Sequence, residues 1–280
     1  MIRIRPMTVA DLPLGMRLKA QAGWNQTEAD WRRYLRLGRE GCFVAELDGS
    51  AVGTTATFIF NEVAWVAMVL VDEAARGHGI GTALMQHALA FLDERGIRSV
   101  RLDATPLGRP IYEKLGFVAE YTLARYEGVL RSLGRDGPVV EPVAAGGLTQ
   151  ALRLDWEVTQ TVRIGLLMRL FDEDPDVFRM VRRGEEYVAF LASRPGSNAR
   201  QLGPLAAKDE AAARALLADA ATRYAGARVF IDVPRPNLAA VRVVEATGLT
   251  TQRELLRMGR GQPVRERIEW LWASSGPEKG

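Results

Sequence analysis

Short apolar runs and amphipathic stretches alternate along the first half of the chain. Residues 66–71, VAMVLV, form an apolar run with the length and β-branched content of a strand that is buried on both faces. After a glycine-rich turn, apolar residues recur at helical spacing, namely Ile80, Ala83, Leu84, Ala88, Phe91 and Leu92. This spacing predicts an amphipathic helix. The order at this point of the chain is therefore strand, glycine-rich turn, helix.

The flanking pattern adds further elements on both sides of this unit. Residues 2–5 alternate as a strand does and end at Pro6, and start signals at Thr8 and Thr27 predict two helices. The other predicted elements are a hairpin (42–47 and 52–60), a strand (99–103), a short helix ended by Gly116, and a strand from Phe117. The resulting order is strand, two helices, hairpin, strand, helix, strand, helix, strand.

The second half repeats much of this order. Residues 131–142, RSLGRDGPVVEP, are polar and rich in glycine and proline, which is typical of a linker. Beyond the linker, the pattern predicts helices at 150–158, 164–182 (interrupted at Asp174-Pro175), 210–221 and 237–247, and strands at 187–191, 201–206 and 229–233. Residues 229–249 parallel residues 100–117. We therefore interpret the chain as an internal repeat of about half its length.

The glycine-rich turn after the buried strand suggests a ligand. It reads RGHGIG over residues 76–81. The first N–H groups of the following helix have no acceptor within the helix, and the helix dipole adds partial positive charge there. Glycines let an anion approach the backbone closely. The turn therefore predicts a phosphate-binding site, and the structural alternative is a strand-to-helix turn without a ligand.

Two common phosphate loops are excluded by the sequence. No Gly-Lys-Ser/Thr follows the glycines, so the turn is not a Walker A loop. The turn also lacks the wider final glycine gap and the acidic residue of the dinucleotide-binding fingerprint. Arg76-x-x-Gly79-x-Gly81 after a buried strand instead resembles the acyl-CoA pyrophosphate loop of the GNAT N-acetyltransferases, Gln/Arg-x-x-Gly-x-Gly/Ala. Residues 111–117, IYEKLGF, are similar to the second hallmark of that family. The resemblance covers roughly residues 1–130.

The resemblance implies a fold and a set of site residues. The fold is α/β with a mixed sheet, and the internal repeat then implies two tandem GNAT-like domains at residues 1–130 and 143–280. The pantetheine arm of acetyl-CoA is expected beside the backbone of Val69, Leu70 and Val71. The pyrophosphate is expected within a loop formed by Arg76, Gly77, His78, Gly79, Ile80, Gly81 and Thr82.

Tyr112 occupies the position of the family's usual general acid. A phenol with an ordinary pKa of about 10 is protonated at neutral pH, so it can donate a proton to the departing thiolate. The structural alternative is a helix tyrosine that packs against the sheet.

The general base and the acceptor pocket are less well defined. Many family members place a glutamate where this chain has Ala67. The attacking amine must still lose a proton, and the candidates are Glu28, Asp30, Asp103 and a solvent relay through backbone carbonyls. Trp24 and Asn25 lie between the first two predicted helices and are expected to border the acceptor pocket, although Trp24 also fits a core position.

The corresponding helix start in the second half has a different character. It reads LAAKDE over residues 205–210, without glycines and with two carboxylates, Asp209 and Glu210. Those carboxylates interact favourably with the helix dipole themselves and would repel a pyrophosphate. No Tyr-Glu-Lys segment follows, because residues 244–246 are VEA. We therefore expect a degenerate domain that does not bind CoA and that completes the sheet edge or the acceptor cleft of the first.

Composition narrows the remaining classes. The 280 residues suggest two domains, and 37 Lys+Arg interspersed with 34 Asp+Glu do not favour nucleic acid as a partner. A single cysteine, Cys42, excludes an intrachain disulfide framework, and two histidines do not favour a metal site. No apolar stretch has the length of a signal or membrane segment, so we expect a cytoplasmic protein, monomeric or homodimeric.

The sequence thus predicts an N-acetyltransferase that moves acetyl from acetyl-CoA to a primary amine of a small molecule by direct attack. A non-catalytic acyl-CoA sensor is the alternative, suggested by the missing strand glutamate. A scaffold for protein contacts is a third class, against which the intact motifs argue. The acceptor stays open among a small amine, an amino acid and an antibiotic, and a protein lysine is less favoured.

Overall fold

The computed structural model describes residues 1–38, 40–131, 133–134, 137–143 and 145–280. The predicted linker at 131–142 therefore lies partly outside the described residues. Within the described part, no helix has the length and apolar character needed to cross a membrane.

The predicted elements of the first half are confirmed. They are β1 (Ile2–Pro6), α1 (Leu12–Gln21), α2 (Glu28–Leu37), β2 (Cys42–Leu47), β3 (Ser50–Phe60), β4 (Val63–Val71), α3 (Ile80–Asp93), β5 (Ser99–Ala104), α4 (Arg109–Lys114) and β6 (Val118–Val129). The start signal at Thr27 acts as expected, because Thr27 Oγ1 accepts from Asp30 N and Thr27 N donates to Asp30 Oδ2. Cys42 is a buried strand residue, and burial raises the pKa of its thiol to about 12.

The second half agrees with the predicted helices and strands except at two places, and it contains two further strands, Thr250–Gly261 and Leu271–Ala273, that the pattern did not predict. Its elements are β7 (Val140–Pro142), α5 (Ala145–Thr159), α6 (Ile164–Glu173), β8 (Arg179–Arg183), β9 (Glu186–Arg194), β10 (Arg200–Ala207), α7 (Glu210–Arg223), β11 (Arg228–Pro234), α8 (Leu238–Ala246), β12 (Thr250–Gly261) and β13 (Leu271–Ala273). The predicted helix at 164–182 is wrong beyond Glu173, since Pro175 cannot continue a helix and residues 179–183 pair with β9. Val140–Pro142 is a strand rather than linker, because it pairs with β8.

The two halves share one mixed sheet. Its strand order is β1-β2-β3-β4-β5-β12-β6-β11-β10-β9-β8-β7, and β13 pairs with β10 beside this path. Strand β12 of the second half lies between β5 and β6, antiparallel to both. Strand β6 of the first half in turn pairs with β11 of the second. Strand β6 of the first half and strand β12 of the second therefore lie next to each other where the two halves meet in the sheet.

In each half, one pair of parallel strands begins together and then separates. Strands β4 and β5 pair only from Val63↔Ser99 to Trp65↔Arg101. Strands β10 and β11 pair only from Arg200↔Val229 to Leu202↔Ile231. The space between β10 and β11 is filled by β13, where Ala273 pairs with Leu205 and Leu271 with Ala206. The corresponding space between β4 and β5 contains no strand within the described parts of the chain.

The apolar core is continuous between the halves. One buried cluster includes Leu18 and Trp31 from the first half together with Leu166 and Phe190 from the second. A second cluster packs α3 against β4 and β5, with Leu84 and Leu92 fully buried nearby. Because burial of such apolar area is the main favourable contribution to folding, this shared cluster stabilises the contact between the halves.

Candidate functional site

A narrow cavity lies where β4 and β5 separate. One wall is the second part of β4, from Val66 to Val69, and another is the end of β5 with Leu102 and Asp103. Parallel strands that separate leave side chains and backbone groups facing a gap, and such gaps in α/β sheets are common ligand sites. This cavity is the candidate active site.

A β-bulge shapes the wall formed by β4. Thr54 pairs with Leu70 but Ala56 pairs with Ala67, so one extra residue is inserted in β4. Met68 has φ +54°, a left-handed conformation that costs a residue with a side chain about 1–2 kcal/mol. Thr54 Oγ1 donates to Met68 O at 2.9 Å and holds the bulge. The bulge redirects the backbone just before Val69, Leu70 and Val71, and bulges of this kind occur often beside active sites.

The glycine-rich turn leads into α3 with its first backbone N–H groups open. Gly79 is the N-cap residue with φ +78°, Gly77 has φ +83°, and a Cβ built on either would meet no atom within 4 Å. Among the described residues no side chain caps this helix, and its first turn contains no acid. The N–H groups of Ile80, Gly81 and Thr82 therefore face open space without an intrahelical acceptor. This arrangement fits a pyrophosphate, because it offers donors, partial positive charge and room.

The two side chains of the turn lie around it rather than over the helix start. His78 is exposed, and its Nδ1 lies 3.2 Å from Ala75 O and 3.1 Å from Arg76 O. Arg76 is also exposed, with its guanidinium 3.5 Å from Glu73. His78 thus braces the turn through backbone carbonyls, and Arg76 has the freedom to turn toward an anion.

Tyr112 reaches the same cavity from α4. The phenol lines the cavity together with Ala67 and Val69, and its ring packs against Phe117 at a centroid distance of 6.1 Å. A Cβ at Gly108 would lie 3.0 Å from the hydroxyl oxygen, so glycine makes room for the phenol there. Burial raises the pKa of Tyr112 to about 12. The hydroxyl is therefore a proton donor over the whole physiological range.

The three carboxylates considered as bases are all held in ion pairs. Glu28 is exposed and pairs with Arg32. Asp30 is buried between Arg33 at 2.6 Å and Arg194 at 3.0 Å, and it lies at the contact between the halves.

Asp103 is the candidate base that lines the cavity. Both of its oxygens accept from Arg257, at 2.8 and 3.0 Å. Burial raises the pKa of this carboxyl group, and the charge of Arg257 opposes the shift. Since Ala67 also lines the cavity, the position that many family members give to a glutamate offers only a methyl group here.

The structure separates Trp24 from Asn25. Trp24 lines the cavity, as expected for a residue that borders the acceptor. Asn25 is buried and away from the cavity lining. Its Nδ2 donates to Ala199 O at 2.9 Å, and its Oδ1 accepts from Asn198 N at 2.9 Å and from Ala199 N at 3.0 Å. Asn25 therefore ties the first half to a loop of the second, which is a structural reason for an asparagine next to Trp24.

The sequence led us to expect that the second half completes the sheet edge or the acceptor cleft, but it did not identify which residues of that half line this cavity. Strand β12 supplies Arg253 and Leu255, and the segment after β13 supplies Pro277 and Glu278. No motif marks these residues, because their position depends on β12 being inserted beside β5. Burial alone raises the pKa of Glu278, but Lys279 and Arg194, both 2.5 Å away, hold it well below its usual range.

The helix start of α7 in the second half is closed by its own side chains. Asp209 is the N-cap residue, and its Oδ1 accepts from Ala212 N at 3.0 Å. Arg183 pairs with the same carboxylate at 3.0 Å, and Glu210 adds a second acid in the first turn. Within the described residues, no cluster of His, Cys, Asp and Glu side chains is arranged to hold a metal ion.

Comparison with known proteins finds the same family in both halves. A model of the acetyltransferase (GNAT) family matches residues 14–117, and a model of an acetyltransferase (GNAT) domain matches residues 151–273. The chain is 25% identical to holothin acyltransferase of Pseudoalteromonas sp. (strain SANK 73390), over 85% of this chain and 81% of that protein.

Solved structures show the same tandem fold. A Pyrococcus horikoshii protein described as an acetyltransferase superposes with a TM-score of 0.86 at 23% identity, covering 100% of this chain and 96% of that one. The tandem GNAT protein of the clavulanic acid biosynthesis pathway superposes with a TM-score of 0.67 at 15% identity, covering 94% and 99%.

Proposed function

We propose that this chain, which belongs to the GNAT acetyltransferases as a tandem member, transfers acetyl from acetyl-CoA to a primary amine of a small molecule. Two GNAT models together match most of the chain, and this match identifies it as an acyltransferase. The observation that carries the proposal is one continuous site. It joins the open helix start of α3, the gap between β4 and β5, and the phenol of Tyr112.

Each part of the site has a separate role in cofactor binding. The N–H groups at the start of α3 and the glycines of the turn bind the pyrophosphate, with Arg76 as an added cation. The backbone of Val69, Leu70 and Val71 receives the pantetheine arm along the unpaired part of β4. The bulge at Met68 turns backbone donors toward the thioester carbonyl, where negative charge develops.

The chemistry proceeds by direct attack. Acetyl-CoA supplies an acetyl group activated as a thioester. The amine nitrogen forms a bond to the carbonyl carbon as the C–S bond breaks, and the Tyr112 hydroxyl donates its proton to the leaving sulfur. The amine proton leaves through water, since Glu28, Asp30 and Asp103 are held by arginines. Holding amine and thioester together in the cavity lowers the barrier by positioning.

The two halves of the chain have different roles in the proposed reaction. Residues 1–130 bind the cofactor and contribute Tyr112, and residues 143–280 complete the sheet through β12 and close the acceptor side through Arg253 and Glu278. The second half binds no CoA, because β13 fills its gap and Asp209 caps its helix.

A non-catalytic acyl-CoA sensor is the second candidate, and one observation favours it. Ala67 stands where many family members have a base, and the neighbouring carboxylate of Asp103 is held by Arg257.

The deciding experiment measures acetyl-CoA-dependent release of CoA thiol with a panel of small primary amines. Turnover with at least one amine supports the transferase. Binding of acetyl-CoA in calorimetry without thiol release from any amine supports the sensor, and absence of binding contradicts both.

A further inference from the structure

Three residues that line the candidate active site each have a buried polar atom without a hydrogen-bond partner in the described part of the chain. These atoms are Gln26 Oε1, Arg253 Nε and Glu278 Oε2. Burying a polar group without a partner costs free energy, so buried polar groups in folded proteins are nearly always paired. Two acceptors and one donor around one cavity are therefore unpaired among the described residues. This arrangement indicates that a bound ligand forms hydrogen bonds with them.

Arg253 is the most informative of the three. Its side chain takes part in no ion pair or hydrogen bond with any residue that the structure describes. Burial and the neighbouring charge of Arg125 lower its pKa to about 10, so the guanidinium is still charged at neutral pH. The cavity is thus lined by a charged planar group whose Nε–H donor is buried and unpaired within the described residues.

The neighbouring carboxylates are already taken by other cations. Asp232 accepts from Arg125 through both oxygens at 2.8 Å, and Gln201 donates to it at 3.0 Å. The cavity carboxylate of Asp103 is held by Arg257, as described above.

Glu278 accepts through Oε1 from Tyr34, Arg194 and Lys279, which leaves only its Oε2 free. Every acid around Arg253 is therefore paired with another cation, and Arg253 forms no ion pair with any described residue. Arg253 is only half-buried, but its Nε is buried and costly to leave unpaired, which points to a ligand as the missing partner.

We propose that the acceptor carries a carboxylate as well as the amine, and that Arg253 of β12 binds this carboxylate. The inference rests on the proposed function and names the substrate class, amino acids and related amines with a carboxylate. Arginine presents a planar fork that matches a carboxylate in a bidentate way. A phosphate is the less suitable anion, because its larger negative charge would lie beside Glu278 and Asp103 in the same cavity.

The two free acceptors fit the other end of such a molecule. Gln26 Oε1 and Glu278 Oε2 can each accept a hydrogen bond from the amine nitrogen, and Tyr112 lines the same cavity. A zwitterionic acceptor would then pair all three orphaned atoms at once. Arg253 and Glu278 both come from the second half, which gives the degenerate domain a direct part in acceptor choice.

The test compares matched acceptors that differ only in the carboxylate. The panel contains amino acids, the amines formed by their decarboxylation, and O-phosphoethanolamine as an amine with a phosphate. The proteins are wild type, Arg253→Met, Arg253→Lys and Arg260→Met. Arg260 is the control because it lies on the same strand and pairs with Asp93 outside the cavity.

Wild type is expected to favour an amino acid over its decarboxylated amine by at least about tenfold in kcat/KM. Arg253→Met should raise the KM for the amino acid by about 10–100-fold, the usual loss of a charged hydrogen bond, with little change in kcat. Arg253→Lys should retain part of the affinity. Arg260→Met should change neither constant. Because Arg253 has no partner to lose, Arg253→Met should not lower Tm.

The other outcomes separate the two proposals. Equal use of amino acids and decarboxylated amines, or a preference for O-phosphoethanolamine, overturns the carboxylate site and leaves the transferase standing. If no amine causes release of CoA thiol, the proposed transferase activity is contradicted. Calorimetry with amino acids in the presence of CoA then tests whether Arg253 binds a carboxylate. Binding that Arg253→Met removes supports the carboxylate site, and absence of binding overturns it.

Discussion

The two halves of the chain contain the same strand-and-helix unit, open in one half and closed in the other. Strands β4 and β5 separate around a cavity, whereas the gap between β10 and β11 is filled by β13. Helix α3 starts at Gly79 without a capping side chain among the described residues, whereas α7 starts at Asp209, which caps it. At the position of Tyr112, counted back from Gly116 and Gly248, the second half has buried Val244.

The comparison shows that the residues at one helix start and one short strand distinguish the open unit of the first half from the closed unit of the second. In the second half, atoms of the chain itself take the places that a cofactor would need. Asp209 satisfies one of the helix N–H groups that a pyrophosphate would use, and β13 supplies backbone partners that an extended arm would find. The fold is kept, whereas the gap between the strands and the uncapped helix start are not.

The largest effect is expected when the α7 start is copied onto α3 by Gly79→Asp. The left-handed φ is unfavourable for aspartate, and its carboxylate would cap the helix and repel the pyrophosphate. Together these effects should raise the Kd for acetyl-CoA by about 1,000-fold. Calorimetry measures this change.

Gly79→Ala separates strain from charge in that experiment, because alanine has the same steric problem without the carboxylate. Its Kd should rise by only about tenfold. An unchanged Kd for Gly79→Asp would mean that α3 does not bind the pyrophosphate.

The next effect concerns the phenol that the second half lacks. Tyr112→Phe removes the proton donor and keeps the ring packing on Phe117, so kcat should fall by about 100-fold. Acetyl-CoA affinity should stay within about twofold of wild type, because the hydroxyl contributes to the reaction rather than to cofactor binding. Tyr224→Phe, outside the cavity, is the control. Wild-type turnover in Tyr112→Phe would remove the acid role.

A smaller effect is expected from opening the closed helix start. Asp209→Ala removes the N-cap hydrogen bond to Ala212 and the ion pair with Arg183, so the free energy of unfolding should fall by about 1 kcal/mol. Denaturant titration measures this loss. Acetyl-CoA affinity and stoichiometry should not change, and a second binding site in the variant would show that Asp209 alone had closed this half.

The smallest effect is in the pH profile. A phenol donates only while it is protonated, and the pKa of Tyr112 is raised by burial from 10.0 to about 12. At pH 10 about 1% of such a phenol is ionised, against about half for an unshifted one. Turnover should therefore rise with pH as the amine loses its proton and should not decline between pH 8 and 10. A decline by half at pH 10 in wild type, absent in Tyr112→Phe, would show an ordinary phenol pKa.

Most elements were predictable because their signals are local. The apolar run before Arg76, the glycines of the turn and the cap at Thr27 each act within a few residues. The prediction was wrong over residues 179–182, where the same side chains suit either a helix or a strand and pairing with β9 decides. The sequence also could not show that Trp24 and Asn25 have different roles. Asn25 forms its hydrogen bonds with a loop of the second half, which is distant in sequence.

The sequence by itself determined the repeat, the order of elements and the difference between the two helix starts. Those features depend on residue type and spacing, such as glycine at positive φ in one half and aspartate at an N-cap in the other. Only the tertiary structure decided that β12 enters the first half, that β13 fills the second, and that Arg253, without a partner among the described residues, lines the same cavity as Tyr112. These are contacts between residues more than sixty positions apart, and no local pattern specifies which distant strand completes a sheet.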